Sequence, residues 1–465
     1  MSHPYLPQTE VDTKQMLKAA GLESTDDLFS SIPGELRASA KRMNAVGDPL
    51  SEQEVVSEMS RLASLNADDT RCDSFLGGGC YRHFVPSVID QMVLRGEFLT
   101  SYTPYQPEVS QGTLQSIFEF QSLVVELTGL DVSNAGLYDG ANSLVEAALL
   151  ALRLRKGRSI VLISEAISPR VRGCLETIVR GVPGIEIVPV PWDPKSGQTS
   201  IRAVEEKISL HGDKVAALIL GYPNYLGVFD ELPAAKDILA RTQSLLISYT
   251  AEALALGVVA SPGSLGADIA VGDMQSFGAS PSFGGPWCGF MGTRQEFVRQ
   301  MPGKVAGQTV DRKGRRGFVL TLATREQHIR REKATSNICS NQALLSLCAN
   351  AYLSLLGPTG LRELADVNFS RRVYLENKLE ELGLRVAFSG PRFNEFVLDV
   401  STIIASGVSC EELLQRLFRE DGILLGPALS SLYPDQTNKV LVSTTELNSR
   451  QSLDRLVEAL ASKLK

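Results

Sequence analysis

The chain has 465 residues, 43% of them apolar and 21% charged, and a formal net charge of −7. That describes a globular protein too long for one ordinary core. An acidic balance in which neither Lys nor Arg dominates a long face excludes nucleic acid and an anionic membrane surface as partners. Four histidines leave little material for a metal site, so no metal is expected. Seven scattered cysteines, never spaced C-x-x-C, indicate reduced thiols in a cytoplasmic protein. The opening residues show no basic region followed by an apolar stretch, and no apolar run approaches a membrane span, so neither a secretory signal nor a membrane partner is expected.

Taken in chain order, the first 75 residues carry helical patterns with capping signals at Ser24-Thr25-Asp26-Asp27 and Ser51-Glu52-Gln53-Glu54, and predict an N-terminal helical arm. Residues 76–357 predict a large α/β domain. Its apolar, β-branched runs at Ser159 to Ile163, Ile185 to Val190, Val215 to Leu220 and Ser244 to Tyr249 read as strands. The amphipathic segments Ile201 to Leu210 and Pro233 to Thr242 alternate with them. Such alternation implies a mostly parallel, doubly covered sheet. A long apolar helix at Leu344 to Leu356 is predicted to stop at Gly357-Pro358. Residues 358–465 then predict a smaller C-terminal α+β domain, with strands at Glu395 to Val400 and Lys439 to Ser443 and a helix at Ser409 to Glu420.

Four segments contain residues suited to chemistry. Gly136 to Ser143 places small residues at the start of the helical run Leu144 to Leu154, where exposed amides would seat a phosphate or a side chain would merely cap the helix. Pro223-Asn224-Tyr225-Leu226-Gly227 follows a strand, at the C-terminal strand ends where open α/β sheets bind ligands, and is also an ordinary turn sequence. Ser101 to Glu108 holds Tyr102 and Tyr105 between prolines, either for hydrogen bonding at a site or for packing. Arg325 to Lys333 is dense in charge of both signs and runs into Ala334-Thr335-Ser336-Asn337, whose hydroxyls suit a helix cap or a phosphate.

In sequence order, the segments Gly77 to His83, Tyr102 to Gly112, Tyr138 to Ala141, Arg316 to Leu322 and Arg325 to Cys339 resemble the P-protein of the glycine cleavage system. That family belongs to the pyridoxal phosphate (PLP)-dependent enzymes of fold type I, and the likeness is to the first subunit of its split, two-chain form. The resemblance implies a glycine dehydrogenase (decarboxylating) that passes an aminomethyl group to the lipoyl arm of H-protein. Family chemistry needs a lysine that forms a Schiff base with PLP. No lysine occurs from Asp237 to Gly303, and Ser276 stands at the expected position. The acid expected against the pyridine nitrogen is also displaced, with Tyr249 or Glu252 nearby.

The resemblance therefore implies that no residue of this chain is catalytic and that PLP sits on a partner subunit, in an α2β2 assembly. Thr335 would then reach the partner's PLP phosphate across the interface, while Tyr102, Tyr105 and His83 would line the partner's glycine site or the lipoyl channel. Two other readings remain: a purely structural or regulatory pseudoenzyme subunit, and a self-sufficient enzyme using a displaced lysine such as Lys304 or Lys333.

Overall fold

The computed structural model describes Tyr5 and residues 7–40, 49–67, 71–405 and 407–464. It forms two compact units, Met1–Asp68 and Asp69–Lys465. In the first unit, α-helices Glu10–Ala19, Gly34–Ala40 and Glu52–Ala63 and the 3-10 turn Thr25–Phe29 account for the regular structure among the described residues. Thr9 and Ser51 each accept from the amide three residues on, and that residue's carboxylate accepts back, so the predicted capping logic holds at Ser51. The helices Glu10–Ala19 and Glu52–Ala63 bury no residue.

The second unit contains strands β1 (Asp73–Leu76), β2 (Val132–Ser133), β3 (Ile160–Ser164), β4 (Glu186–Val190), β5 (Val215–Gly221), β6 (Leu245–Thr250), β7 (Ile269–Asp273), β8 (Gly289–Thr293), β9 (Val305–Val310), β10 (Arg316–Thr321), β11 (Arg385–Val386), β12 (Glu395–Asp399), β13 (Ile423–Gly426) and β14 (Lys439–Ser443). Seven of them form the main sheet in the order β2-β8-β7-β6-β5-β3-β4. Strands β4, β3, β5, β6 and β7 run parallel, and β8 is antiparallel to both β7 and β2. The expected mostly parallel sheet is therefore present, and its strands β3, β4, β5 and β6 match the four apolar runs read from the sequence to within about one residue at each end.

Side-chain alternation sorts this sheet into two cores. Val161, Ile163, Ala217, Ile219 and Ile247 pack on one face with Leu144, Leu150 and Leu175 of the helices Gly140–Leu154 and Pro169–Val179. Leu162, Leu218, Leu220 and Leu246 pack on the other with Val204, Leu232 and Phe120 from helices Ile201–His211, Leu232–Leu239 and Gln111–Thr128. Burial on both faces explains the continuous apolar strands: β5, Val-Ala-Ala-Leu-Ile-Leu-Gly, is buried throughout.

The helix Ala343–Glu381 breaks at Gly357 (φ 62°, ψ −178°), where the sequence places its stop, and then resumes through Pro358. Its composition and length reach those of a membrane span, contrary to the sequence expectation. Part of the apolar stretch packs inside the protein: Cys348, Ala349, Tyr352 and Leu353 lie in the core of the main sheet. Beyond it, β11, β12 and β14 form an antiparallel sheet. Helices Cys410–Asp421 and Arg450–Lys463 cover it and share its core with Phe75 of β1, which pairs in parallel with β13. A two-stranded hairpin of β9 and β10 completes the strands.

Candidate functional site

A cavity of about 470 Å³ lies outside the C-terminal ends of the parallel strands, the position at which open α/β sheets bind ligands. It is lined by the Gly77 to Tyr81 loop, by Tyr138, Asp139 and Ala141 at the start of helix Gly140–Leu154, and by Ser168 and Arg170 after β3. Pro223 to Tyr225 follow β5, Tyr249 and Ala251 come from the end of β6, Asp273 ends β7, and Trp287 precedes β8. Both turns singled out in the sequence, Gly136 to Ser143 and Pro223 to Gly227, thus contribute to one cleft.

Two amides at the start of helix Gly140–Leu154, those of Gly140 and Asn142, are already engaged by carboxylates. Asp139 caps the helix, accepting from the Asn142 amide at 2.7 Å, and Asp273 accepts from the Gly140 amide at 2.8 Å. Burial raises the Asp273 carboxyl to about 7 against the lowering effect of the Gly140 and Gln275 amides, and nearby Asp139 raises it further. Two carboxylates stand where a phosphate would need amides and a positive field. Of the two readings of this turn, the structure shows the helix cap.

At the expected lysine position, Ser276 is 1% exposed and donates its hydroxyl to Glu252 at 2.6 Å. Glu252 also accepts from the Leu254 amide and pairs with His83 Nε2 at 3.0 Å. The other ring nitrogen of His83 meets Glu446 at 2.9 Å, and Asn368 and the Phe84 amide donate to the same Glu446 carboxylate. Burial alone would lower the His83 pKa, but the two carboxylates raise it to about 10, so the ring is an imidazolium donating at both nitrogens. Glu446, which burial would raise, is instead brought down to about 2, chiefly by hydrogen bonding and attraction to His83. Of the two residues near the expected acid position, Tyr249 lines the cleft, whereas Glu252 turns away into this buried network.

The Gly77 to Phe84 segment is stitched across the strand ends by side chains that sequence reading missed. Glu395 accepts from the Gly78 amide at 2.6 Å and from the Tyr81 hydroxyl at 3.0 Å, and burial raises its carboxyl to about 7. A Cβ on Gly77 would collide with that carboxylate, and Gly78 has φ 86°, which explains why glycines stand here. Gln275 exchanges hydrogen bonds with the Tyr81 backbone at 2.8 and 3.0 Å. An acid opening the apolar strand β12 was the one local sign of Glu395, and Glu446 carried none; Glu252 was noted only as near the expected acid position.

The remaining expected residues lie elsewhere. Tyr102 and Tyr105 are 72% and 51% exposed. Tyr105 packs edge-on against His328 at 5.3 Å between centroids, and Thr335 donates its amide to the Arg325 carbonyl at 3.0 Å. The Tyr105 and Thr335 segments therefore lie close together on one surface region. His83, at 7% exposure, is placed inside the chain by its two carboxylate partners. Lys304 is 2% exposed, bonds the Cys339 carbonyl and pairs with Glu326 at 3.1 Å. Neither Lys304 nor the exposed Lys333 lines the cleft.

Fold and cleft together define a protein of the PLP-dependent fold type I class. A sphingosine-1-phosphate lyase of Burkholderia pseudomallei shares the fold, with a TM-score of 0.65 at 14% identity over 90% of this chain and 91% of that one. The crystal structure of the glycine decarboxylase (P-protein) of the glycine cleavage system, in inhibitor-bound form, matches at TM-score 0.83 and 39% identity, over 99% of this chain and 100% of that chain. A probable glycine dehydrogenase (decarboxylating) subunit 1 of Anaeromyxobacter dehalogenans is 48% identical over 98% of this chain and 100% of its own length. The family model for the glycine cleavage system P-protein matches residues 3–460, and the chain belongs to that family.

The family's cofactor is tested directly by the residues present. With no lysine from Asp237 to Gly303, Ser276 locked to Glu252, and the helix amides bound by Asp139 and Asp273, this cleft does not fit PLP.

Proposed function

We propose that this chain is subunit 1 of a split glycine dehydrogenase (decarboxylating). In this reading it completes, in the cytoplasm, the active site of a PLP-bearing subunit 2 within an α2β2 assembly. That assembly decarboxylates glycine and passes the aminomethyl group to the lipoyl arm of H-protein. The observation that carries this reading is a fold type I cleft in which both cofactor anchors are replaced by the chain's own side chains. Near-complete coverage of relatives called subunit 1 supports the division of labour.

In this reading PLP supplies the electron sink on the partner, and the residues of this chain bind and orient. Thr335, half-buried on an exposed loop, is the proposed donor to the partner's PLP phosphate; Tyr102 and Tyr105, on the neighbouring segment, are proposed to line the way to the glycine site. His83, drawn inside by Glu252 and Glu446, is proposed to fix the Gly77 to Phe84 segment from behind. In the assembled protein, Thr335→Ala is expected to lower PLP affinity and turnover by about tenfold to a hundredfold, since a hydrogen bond to a charged group contributes about 1.5–3 kcal/mol. Tyr105→Phe is expected to change turnover without releasing PLP. Intact assembly with unchanged turnover in both variants would instead assign this chain a purely structural part.

A further inference from the structure

The cleft at the strand ends has lost its fit for PLP without being filled. Its cavity of about 470 Å³ remains, within the range of small-molecule sites. Two polar atoms that line it have no partner among the described residues. Tyr249 is 7% exposed, and its hydroxyl, open to the cleft, finds no hydrogen-bond partner among the described residues. Trp287 Nε1 is buried and equally unsatisfied. Orphaned buried polar groups are uncommon, because each forfeits about 1–3 kcal/mol of hydration without return.

The charges around these atoms are divided. Asp139 and Asp273 lie close enough to Tyr249 for both carboxylates to oppose its ionisation, though burial does so more strongly. Asp139 Oδ2 has no hydrogen-bond donor among the described residues, and Asp273 ends β7 beside it. Arg170, exposed and without a carboxylate partner among the described residues, lines the same cleft. A phosphate would be repelled by the two aspartates, whereas an ammonium would relieve their mutual repulsion. The indole N–H donates only, and with a guanidinium it suits a carboxylate.

We propose that the cleft of this chain binds a free α-amino acid. Its ammonium is directed to Asp139, Asp273 and the Tyr249 hydroxyl, and its carboxylate to Trp287 Nε1 and Arg170. The site is separate from the chemistry assigned to the partner, and the inference rests on the residues of this chain alone. No covalent step is involved.

Calorimetric titration of the full chain, purified without its partner, tests the proposal with glycine and leucine as probes and methylamine and acetate as their separate halves. At least one amino acid is expected to bind saturably, with either half binding at least tenfold more weakly. Tyr249→Phe, which removes one hydroxyl and conserves the ring, is expected to weaken binding about threefold to tenfold. Trp287→Phe is expected to act in the same direction, with melting curves confirming that both variants stay folded. No heat from either amino acid at millimolar concentration would overturn the proposal. So would binding that both variants leave intact, or equal binding of acetate or methylamine alone.

Discussion

Replacing His83 with alanine is expected to destabilise the folded chain by about 3–5 kcal/mol, the range found when one member of a buried ion pair is removed. The imidazolium stands between Glu252, which is 0% exposed, and Glu446, and without it two carboxylates share a pocket with no cation between them. The sign of the pH dependence follows from the two shifts. The His83 pKa is raised from 6.5 to about 10, so its contribution is complete below pH 6.5, falls as the pH climbs, and is gone above about 10. Glu446 is lowered from 4.5 to about 2, so its contribution is present above pH 4.5 and disappears as the pH falls through about 2. Urea midpoints of wild type and variant should therefore differ most between pH 4.5 and 6.5 and converge toward pH 10. A variant as stable as wild type, or a gap that does not narrow toward pH 10, would refute the charged-histidine account.

Restoring a lysine at the family position should not restore a cofactor site. In Ser276→Lys the longer side chain enters a packed interior beside Phe277, which is 0% exposed, and overpacking of this kind costs about 1–3 kcal/mol. Its amine would arrive against Glu252, the carboxylate that now holds the serine at 2.6 Å. Pairing there favours the protonated ammonium, which is not a nucleophile. Asp139 and Asp273 would still hold the helix amides. The variant is expected to melt earlier and to gain no PLP label after borohydride reduction. A pyridoxyl group recovered on residue 276 would mean that a single side chain, and not a remodelled cleft, separates this chain from a PLP-binding one.

The parallel strands were legible because burial on both faces leaves continuous apolar runs such as β3 and β5, bounded by turn residues. Strands without that signature escaped notice. In β9, Gly307 to Val310 leave the core, and β8, Gly-Phe-Met-Gly-Thr, is short and holds two glycines. The pairing of β1 with β13 joins residues about 350 positions apart, which no local pattern reports. The site divided along the same line. Tyr105 and Thr335 each lay within a contiguous motif, whereas the network of Glu252, His83 and Glu446 is assembled from three distant parts of the chain. The choice between Tyr249 and Glu252 was a question of strand register. β6 ends at Thr250, with Tyr249 in the cleft and Glu252 beyond the strand.

This chain is proposed to shape an active site whose cofactor another subunit holds. The most direct test is to co-purify it with its PLP-bearing partner, reduce the complex with borohydride, and locate the pyridoxyl group by peptide mass spectrometry. The label is expected on a partner lysine alone, with every peptide of this chain unmodified. A pyridoxyl group on Lys304, Lys333 or any other lysine of this chain would contradict the account.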